Sequence, residues 1–437
     1  MTYEEAVSKL FDTPRFSKKN SIEHTRRLLR ALGHPEESFH IVHVAGSVGK
    51  GSTCSFIKNI LDEAGYVTGI FTSPHLTEPS ERIRVKDKDI SHEDFAGYFA
   101  MVTQCARKEI DPPTFFEVVF LMGMCYFRDA GIDIGVLETG LGGRLDATNA
   151  PASKDLCVIT KIALEHTDIL GDTLDEIAPE KAGIMRKGVP AVFLDEPEEA
   201  CAQILKKAKE TGAKPKIISK KNIIDVKNPK LGIDFSYKTE YDIYRVKNGL
   251  LPGYQAENIA LAIEAALIML KDKDPLIRRR SIEKGVEKTL IRGRMHEIRR
   301  NLFVDGAHNP AEIAAFLGEA QRIISSRRFG SFGSSFGKKA ILILGMMKDK
   351  DTERMMADIS GRGIFDAVIP VTVKNKRAMD ATDMGKMIDG AIVIPDSEKA
   401  LEYALSMGEN KGENIIFVTG SMYLVGEITG MYEGGRA

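Results

Sequence analysis

The 437-residue chain has no tryptophan, no CxxC pair, no surplus of charge and no apolar run long enough to cross a bilayer. The missing tryptophan decides nothing. The other absences each exclude something. Lys+Arg is 61 and Asp+Glu is 62, a net charge of -1. A balance of that kind gives no reason to expect nucleic acid or an anionic membrane surface as partner. An anionic ligand must then be held by a local site. Cys54, Cys105, Cys125, Cys157 and Cys201 are odd in number and dispersed, which fits reduced core thiols in a cytoplasmic protein. The opening MTYEEAVSKL is acidic and lacks the basic-then-apolar pattern of a signal peptide. The strongest apolar run, Phe115–Phe127, is interrupted by Glu117 and falls short of the roughly 20 residues a membrane span needs. It predicts a buried helix.

What is present reads as globular: 43% of the residues are hydrophobic. At roughly 100–200 residues per domain the length implies two or three domains. Ile41–Val44, Asp133–Leu137 and Leu156–Ile162 read as buried strands, and Ser52–Ala64 and Glu257–Leu270 as helices. The alternation predicts a mostly parallel sheet with helices on both faces. It restarts after Arg294: Leu302–Val304, Ala340–Leu344, Ala367–Val371, Ala391–Ile394 and Ile415–Val418 read as strands, with helices at Ala311–Ile324 and Thr352–Ile359. The expected fold class is therefore α/β with two domains. Residues 1–291 are expected to form an N-terminal parallel-sheet domain of the P-loop type, and residues 292–437 a C-terminal Rossmann-like α/β domain. Ser325–Lys338 is Gly/Ser-rich and basic and reads as a surface loop inside the second domain.

The strongest local signal is His43–Ser52, HVAGSVGKGS, which follows a strand and opens a helix. In that context backbone N–H groups and the helix N-terminus cradle phosphates, and a lysine adds a point charge. The spacing departs from GxxxxGK[ST]: Val44 stands at the first glycine position, and Gly51 separates Lys50 from Ser52.

The shortened loop Gly46-Ser47-Val48-Gly49-Lys50-Gly51-Ser52 resembles that of the folylpolyglutamate synthase and dihydrofolate synthase family, with Val48 where the family has Asn. The resemblance runs on through Thr72–Leu76 (TSPHL), Ser80–Ile83 (SERI), Leu137–Asn149 (LETGLGGRLDATN) and Leu164–Met185, where Glu165 replaces the usual Asp. It continues with Gly293-Arg294, Asp305–Pro310 (DGAHNP), Gly345–Lys350 and Thr419–Glu427 (TGSMYLVGE). The motifs occur in family order across both expected domains.

The resemblance implies an ATP-dependent amide ligase that adds L-glutamate to a folate, or to dihydropteroate, through an acyl phosphate. ATP would be held by Gly46, Ser47, Gly49, Lys50, Gly51 and Ser52, with Asn258 at the adenine and Arg294 and Asp305 at phosphate and ribose. Ser73, Glu138 and His166 are similar to the family's magnesium ligands, and the resemblance implies two Mg2+ ions. Histidine is a soft choice for magnesium, so that role for His166 rests on the resemblance. Lys181 resembles a lysine carbamylated by CO2, which requires a partly buried amine of lowered pKa. Thr173 and Glu176 ahead of it read as a capping box. Lys50, Glu138, His166 and Lys181 form the expected catalytic set. His308 and Ser421 fall near the incoming glutamate, and Arg82 near the acceptor. The implied enzyme is a cytoplasmic monomer with small-molecule substrates. Closure about a linker near residue 291 would exclude water from the acyl phosphate.

Two other readings stay open on sequence. A related Mur-type ligase with a different carboxylate acceptor would share every ATP and metal motif. A nucleotide-binding regulatory module would not need Glu138, His166, Lys181 and Asp305 together.

Overall fold

The computed structural model describes residues 1–14, 22–107, 111–227, 232–328, 338–348, 350–407 and 414–433. The chain divides into two compact units. The first comprises Met1–Val226, Asp234–Asn248 and Gln255–Thr289; the second comprises Lys227–Ile233, Gly249–Tyr254 and Leu290–Ala437.

The first unit is built on eight strands: β1 (His40–Ala45), β2 (Thr68–Phe71), β3 (Ile83–Val85), β4 (Lys88–Asp89), β5 (Ile134–Glu138), β6 (Leu156–Ile159), β7 (Pro190–Leu194) and β8 (Lys214–Ile218). They lie in the order β4-β3-β2-β5-β1-β6-β7-β8. β2, β5, β1, β6, β7 and β8 run parallel, and β3 and β4 add an antiparallel edge. The central strands are buried along their length, as expected where helices cover both faces. This order brings the C-terminal ends of β1, β2, β5 and β6 side by side. Open α/β sheets place ligands at that edge.

Three helices bear on it. Lys50–Glu63 follows β1 and packs against Ala256–Met269 and Pro275–Lys288. The apolar run forms the buried helix Phe115–Asp129, started by a Thr114/Glu117 capping box. Glu117 interrupts the run for a reason: its carboxylate also accepts from His24 Nδ1 (2.9 Å) and Thr25 Oγ1 (2.8 Å). A three-stranded sheet, β9 (Ile223–Lys227), β10 (Ile233–Lys238) and β11 (Ile243–Asn248), follows in the order β11-β10-β9. At the end of β11, Asn248 Nδ2 donates to the carbonyls of Val286, Glu287 and Thr289 at 2.8, 3.0 and 2.9 Å. They lie at the end of the helix Pro275–Lys288, where the last carbonyls run out of intrahelical donors; the Thr289 N–H also reaches Val286 O, at 3.2 Å.

The second unit holds β12 (His296–Arg299), β13 (Leu302–Val304), β14 (Ala340–Leu344), β15 (Ala367–Pro370) and β16 (Ile415–Thr419), ordered β12-β13-β16-β14-β15. All neighbours are parallel except β12 and β13. Phe303, Phe316, Phe365 and Phe417 stack and cross in its core.

Two expectations are corrected. Ala391–Ile394 is not a strand. Its amides Ile392 and Ile394 do donate to the carbonyls of Val368 and Pro370 on β15, but Pro370 has no N–H to return the bond. The expected loop at Ser325–Lys338 begins later, because the helix Pro310–Arg328 continues through its first four residues. The rest of that stretch, residues 329–337, lies outside the described residues, as does Asp349 of the Gly345–Lys350 motif.

Candidate active site

β1 ends at Ala45 and the chain turns through Gly46 (φ 146°) and Gly49 (φ 89°) before the helix Lys50–Glu63 begins. Both backbone conformations favour glycine, and both positions are also spatially closed. A Cβ at Gly46 would stand 1.9 Å from Thr160 Oγ1, and one at Gly49 would stand 2.1 Å from Asn258 Oδ1. The helix N-terminus has no side-chain cap. The loop is tied down elsewhere: Ser47 and Val48 donate their N–H groups to Lys161 O at 3.0 and 3.1 Å, and Ser47 Oγ donates to Ala163 O at 2.9 Å. Lys50 folds back, its Nζ donating to Gly46 O (2.8 Å) and Ser47 O (3.1 Å). Asn258 is buried against this turn rather than on an exposed helix face. It donates to Gln255 Oε1 at 2.8 Å, and Gln255 Nε2 donates to Ser52 Oγ at 3.3 Å. Gln255 is a residue the sequence reading passed over, although it stands three positions before Asn258 on the same helical face.

Glu138 ends β5 opposite Val44 of β1 and is buried. Its Oε2 accepts the Ser73 N–H at 2.9 Å and lies 3.2 Å from where a Cβ on Gly51 would be. Ser73, Glu138 and Gly51 therefore share one corner of the sheet edge. The hydroxyls of Thr53, Thr139 and Thr160 are buried with no hydrogen-bond partner, Thr139 next to Glu138 in the chain and Thr160 beside Gly46.

Lys181, on the helix Leu174–Ala182, is 1% exposed. The Thr173/Glu176 capping box that starts this helix is present. Lys181 Nζ donates to Gly46 O at 2.9 Å and to Glu165 Oε1 at 2.5 Å. Burial brings its pKa down from 10.5 to about 8, against the pull of Glu165. Burial raises the Glu165 carboxyl, but Lys50 and Lys181 outweigh it and hold Glu165 below its usual range. His166 follows with φ 49°, at the start of the helix Thr167–Leu170. The glycine-rich segment after Glu138 is fastened to the same helix: Arg144 N–H donates to Glu180 O at 2.8 Å. Asp146 accepts the Gly140 and Leu141 N–H groups at 2.9 Å each.

Arg82 is buried two strands away in a more aromatic setting. Its Nε donates to His75 Nδ1 at 2.9 Å, and its guanidinium lies 5.1 Å from the centre of the Phe115 ring. Phe11, half exposed, meets both His75 and Phe115 ring to ring. Burial, and then Arg82, pushes the His75 pKa down to about 3. His75 lies two residues past Ser73, which places this cluster at the end of β2.

In the second unit, Asp305 follows β13 and is buried. Its Oδ2 accepts from Tyr254 Oη (2.7 Å) and Met295 N–H (2.8 Å), and its Oδ1 accepts from Ala307 N–H (2.9 Å). Burial raises its pKa although Arg294 opposes this. Ser421 Oγ accepts the Tyr423 N–H at 3.1 Å and so caps the helix Met422–Glu433. His308 and Arg294 both face Glu312, a second residue the sequence reading passed over.

Residues 44–266 match the Mur ligase middle domain, and residues 293–422 match the Mur ligase, glutamate ligase domain. The chain is 32% identical over 442 residues to the dihydrofolate synthase/folylpolyglutamate synthase of Bacillus subtilis (strain 168), covering 98% of each. It is 28% identical to the folylpolyglutamate synthase of Lacticaseibacillus casei over the whole of both chains. Among solved structures, E. coli FolC in complex with DHPP and ADP superposes with a TM-score of 0.86 at 26% identity, covering 100% of this chain and 99% of that one.

Proposed function

Since this chain belongs to the folylpolyglutamate synthase/dihydrofolate synthase family and is an ATP-dependent ligase, we propose that it joins L-glutamate to a folate carboxylate. A carboxylate is a poor electrophile. Transfer of the ATP γ-phosphoryl group to one of its oxygens makes an acyl phosphate and releases ADP. The amine of glutamate then attacks the acyl carbon, the C–N bond forms, the C–O bond to phosphate breaks, and the amine proton is lost. Such transfer depends on positioning and charge neutralisation more than on covalent help from the protein.

One observation carries this reading: Lys50 and Lys181 converge on the Gly46 carbonyl, at 2.8 and 2.9 Å. Two ammonium groups concentrated on one turn at an uncapped helix N-terminus make a local anion site in a chain with no surplus of charge. The backbone of Gly46–Gly51 and Lys50 would hold the phosphates. Asn258, held by Gln255, would meet the base, with Arg294 and Asp305 serving phosphate and ribose. His308 and Ser421 would serve the incoming glutamate. The first unit is thus read as the ATP- and metal-binding domain and the second as the glutamate-ligase domain.

The corner at Glu138 fits a magnesium ion. Glu138 and Ser73 offer oxygen donors, which hard cations prefer, and Glu138 engages Ser73 through its N–H rather than its hydroxyl. Next to Glu138 in the chain, the buried Thr139 hydroxyl has no hydrogen-bond partner. Glu138, Ser73 and His166 would hold the metal, and when bound it neutralises charge on the phosphoryl oxygens. Lys181, with its pKa brought to about 8, has roughly a tenth of its amine neutral near pH 7, the form that CO2 attacks to give a carbamate; in that state Lys50 alone supplies the cation of the anion site. The Arg82–His75–Phe115 cluster is read as the acceptor side, where a guanidinium and aromatic faces suit an anionic aromatic molecule.

The reading is tested by magnesium- and glutamate-dependent ADP release. It is expected with dihydropteroate or tetrahydrofolate, giving a product heavier by one glutamyl unit. Release only with non-pterin carboxylates would replace the acceptor with that of a sister ligase.

A further inference from the structure

Glu312 lies in the first turn of the helix Pro310–Arg328. A first-turn carboxylate is favoured by the helix dipole but usually extends into water. This one does not: its side chain is 10% exposed. Asn309 Oδ1 accepts the Glu312 N–H at 2.9 Å, which fixes the start of the helix. The Glu312 carboxylate then folds back over the preceding turn. Oε2 accepts the His308 backbone N–H at 3.1 Å and lies 3.1 Å from His308 Nδ1. Nδ1 is also 2.8 Å from Gly306 O, so both acceptors call for the proton on Nδ1, leaving Nε2 as the outward nitrogen. Oε1 faces Arg294 Nη2 at 3.7 Å.

Arg294 is confined on its other sides. Its Nη1 is 3.5 Å from Met422 Sδ and 2.7 Å from the position a Cβ on Gly306 would take. Burial pushes the Glu312 carboxyl up, but His308 and Arg294 overcome it and hold the group well below the usual carboxylate range. One ionised carboxylate thus sets the ring plane of His308 with one oxygen and the guanidinium of Arg294 with the other.

We infer that Glu312 is a positioning residue that fixes Arg294 and His308 in one arrangement, so that the nucleotide contact and the amino-acid contact are set by a single side chain. The inference rests on the reading of Arg294 as a phosphate contact and His308 as a glutamate contact. Glu312 itself touches neither substrate. Removing its charge and removing its acceptor should therefore have different consequences. Gln keeps an oxygen for the His308 N–H but gives up the charge facing Arg294. Ala gives up both.

The test is steady-state ADP release by the full-length protein, with KM for ATP and for glutamate measured separately. The variants are E312Q, E312A, R294A, H308A and the double variant E312A/R294A, with thermal melts to show that each is folded. E312Q is expected to raise the ATP KM about tenfold while the glutamate KM stays within about threefold. E312A is expected to raise both about tenfold. The double variant is expected to match R294A in ATP KM, because residues acting as a unit are not additive. Unchanged KM values in E312Q and E312A, alongside impaired R294A and H308A, would overturn the inference and leave the site reading standing. Wild-type behaviour of R294A and H308A would instead overturn the site reading on which it rests. A loss in E312A that follows only the fraction of folded protein, with both KM values unmoved, would also overturn it, since that is the mark of a purely structural residue.

Discussion

Lys50 and Lys181 donate to the same acceptor, the carbonyl oxygen of Gly46, at 2.8 and 2.9 Å. The two lysines come from different helices, Lys50–Glu63 and Leu174–Ala182. Their ammonium groups would repel each other without an anion nearby. Glu165 supplies part of that compensation through Lys181. ATP phosphate would supply the rest.

Replacing Lys50 by Ala should therefore abolish ADP release, as should replacing Glu138 by Ala. Each loss falls on charge stabilisation in the transition state, where one lost contact commonly costs about 100–1,000-fold in kcat. Steady-state rates of the two purified variants check this, and wild-type-like turnover in either would remove that residue from the site.

Gly49→Ala should be as damaging to nucleotide binding with a different signature. A Cβ there meets Asn258 Oδ1 and Cγ at 2.1 and 2.7 Å on a backbone at φ 89°. Both the turn and the Asn258 amide must move. ATP affinity, measured by calorimetry, should fall by at least about tenfold, a loss of about 1.4 kcal/mol.

The buried amine of Lys181 makes stability depend on pH. Its pKa is about 8 in the folded chain and 10.5 in the unfolded one. A depressed lysine costs stability in full below the folded value, where both states are charged. The cost is relieved as pH rises from about 8 to 10.5, because the folded state sheds its proton first. The size is on the order of 3 kcal/mol. Melts of the wild type against K181M should show the gap between them shifting in favour of the wild type across that window. A gap that stays constant with pH would contradict the assigned burial cost.

Asn248→Ala should destabilise the first unit without touching the chemistry. The Glu287 and Thr289 carbonyls at the end of the helix Pro275–Lys288 lose the Asn248 donor, while Val286 O keeps the Thr289 N–H. Buried groups left unsatisfied cost about 1–3 kcal/mol. Denaturant melts should register this loss while the KM values of the remaining folded enzyme hold.

Much of the architecture was legible because buried parallel strands are written as short β-branched runs. Ile41–Val44 is of this kind, and Leu302–Val304 is a short apolar run bounded by Asn301 and Asp305. β8 was not legible: KPKII is charged and sits at the sheet edge, where only part of the strand is buried. Ala391–Ile394 has the composition of a strand, and only the partner's Pro370 prevents it, a long-range fact that no local window holds. In the site, the Gly46–Ser52 loop is marked by its glycine spacing and Glu138 by its strand end, whereas Ser73, His166, Lys181, Asn258, Arg294, Asp305, His308 and Ser421 are singled out only by the family resemblance. Glu312 and Gln255 could not be singled out in that way. Each is an ordinary polar residue on a helix, and its importance comes from what folding places beside it: Arg294 and His308 for one, Ser52 for the other.

The central claim is that this site activates a folate carboxylate at the expense of ATP and passes it to glutamate. Its most direct test is ADP release by the purified protein with magnesium and glutamate, run in parallel on dihydropteroate, tetrahydrofolate and a panel of unrelated carboxylates. The account predicts release stimulated by a pterin acceptor, with a product one glutamyl unit heavier. Tight ATP binding without release stimulated by any acceptor would contradict it.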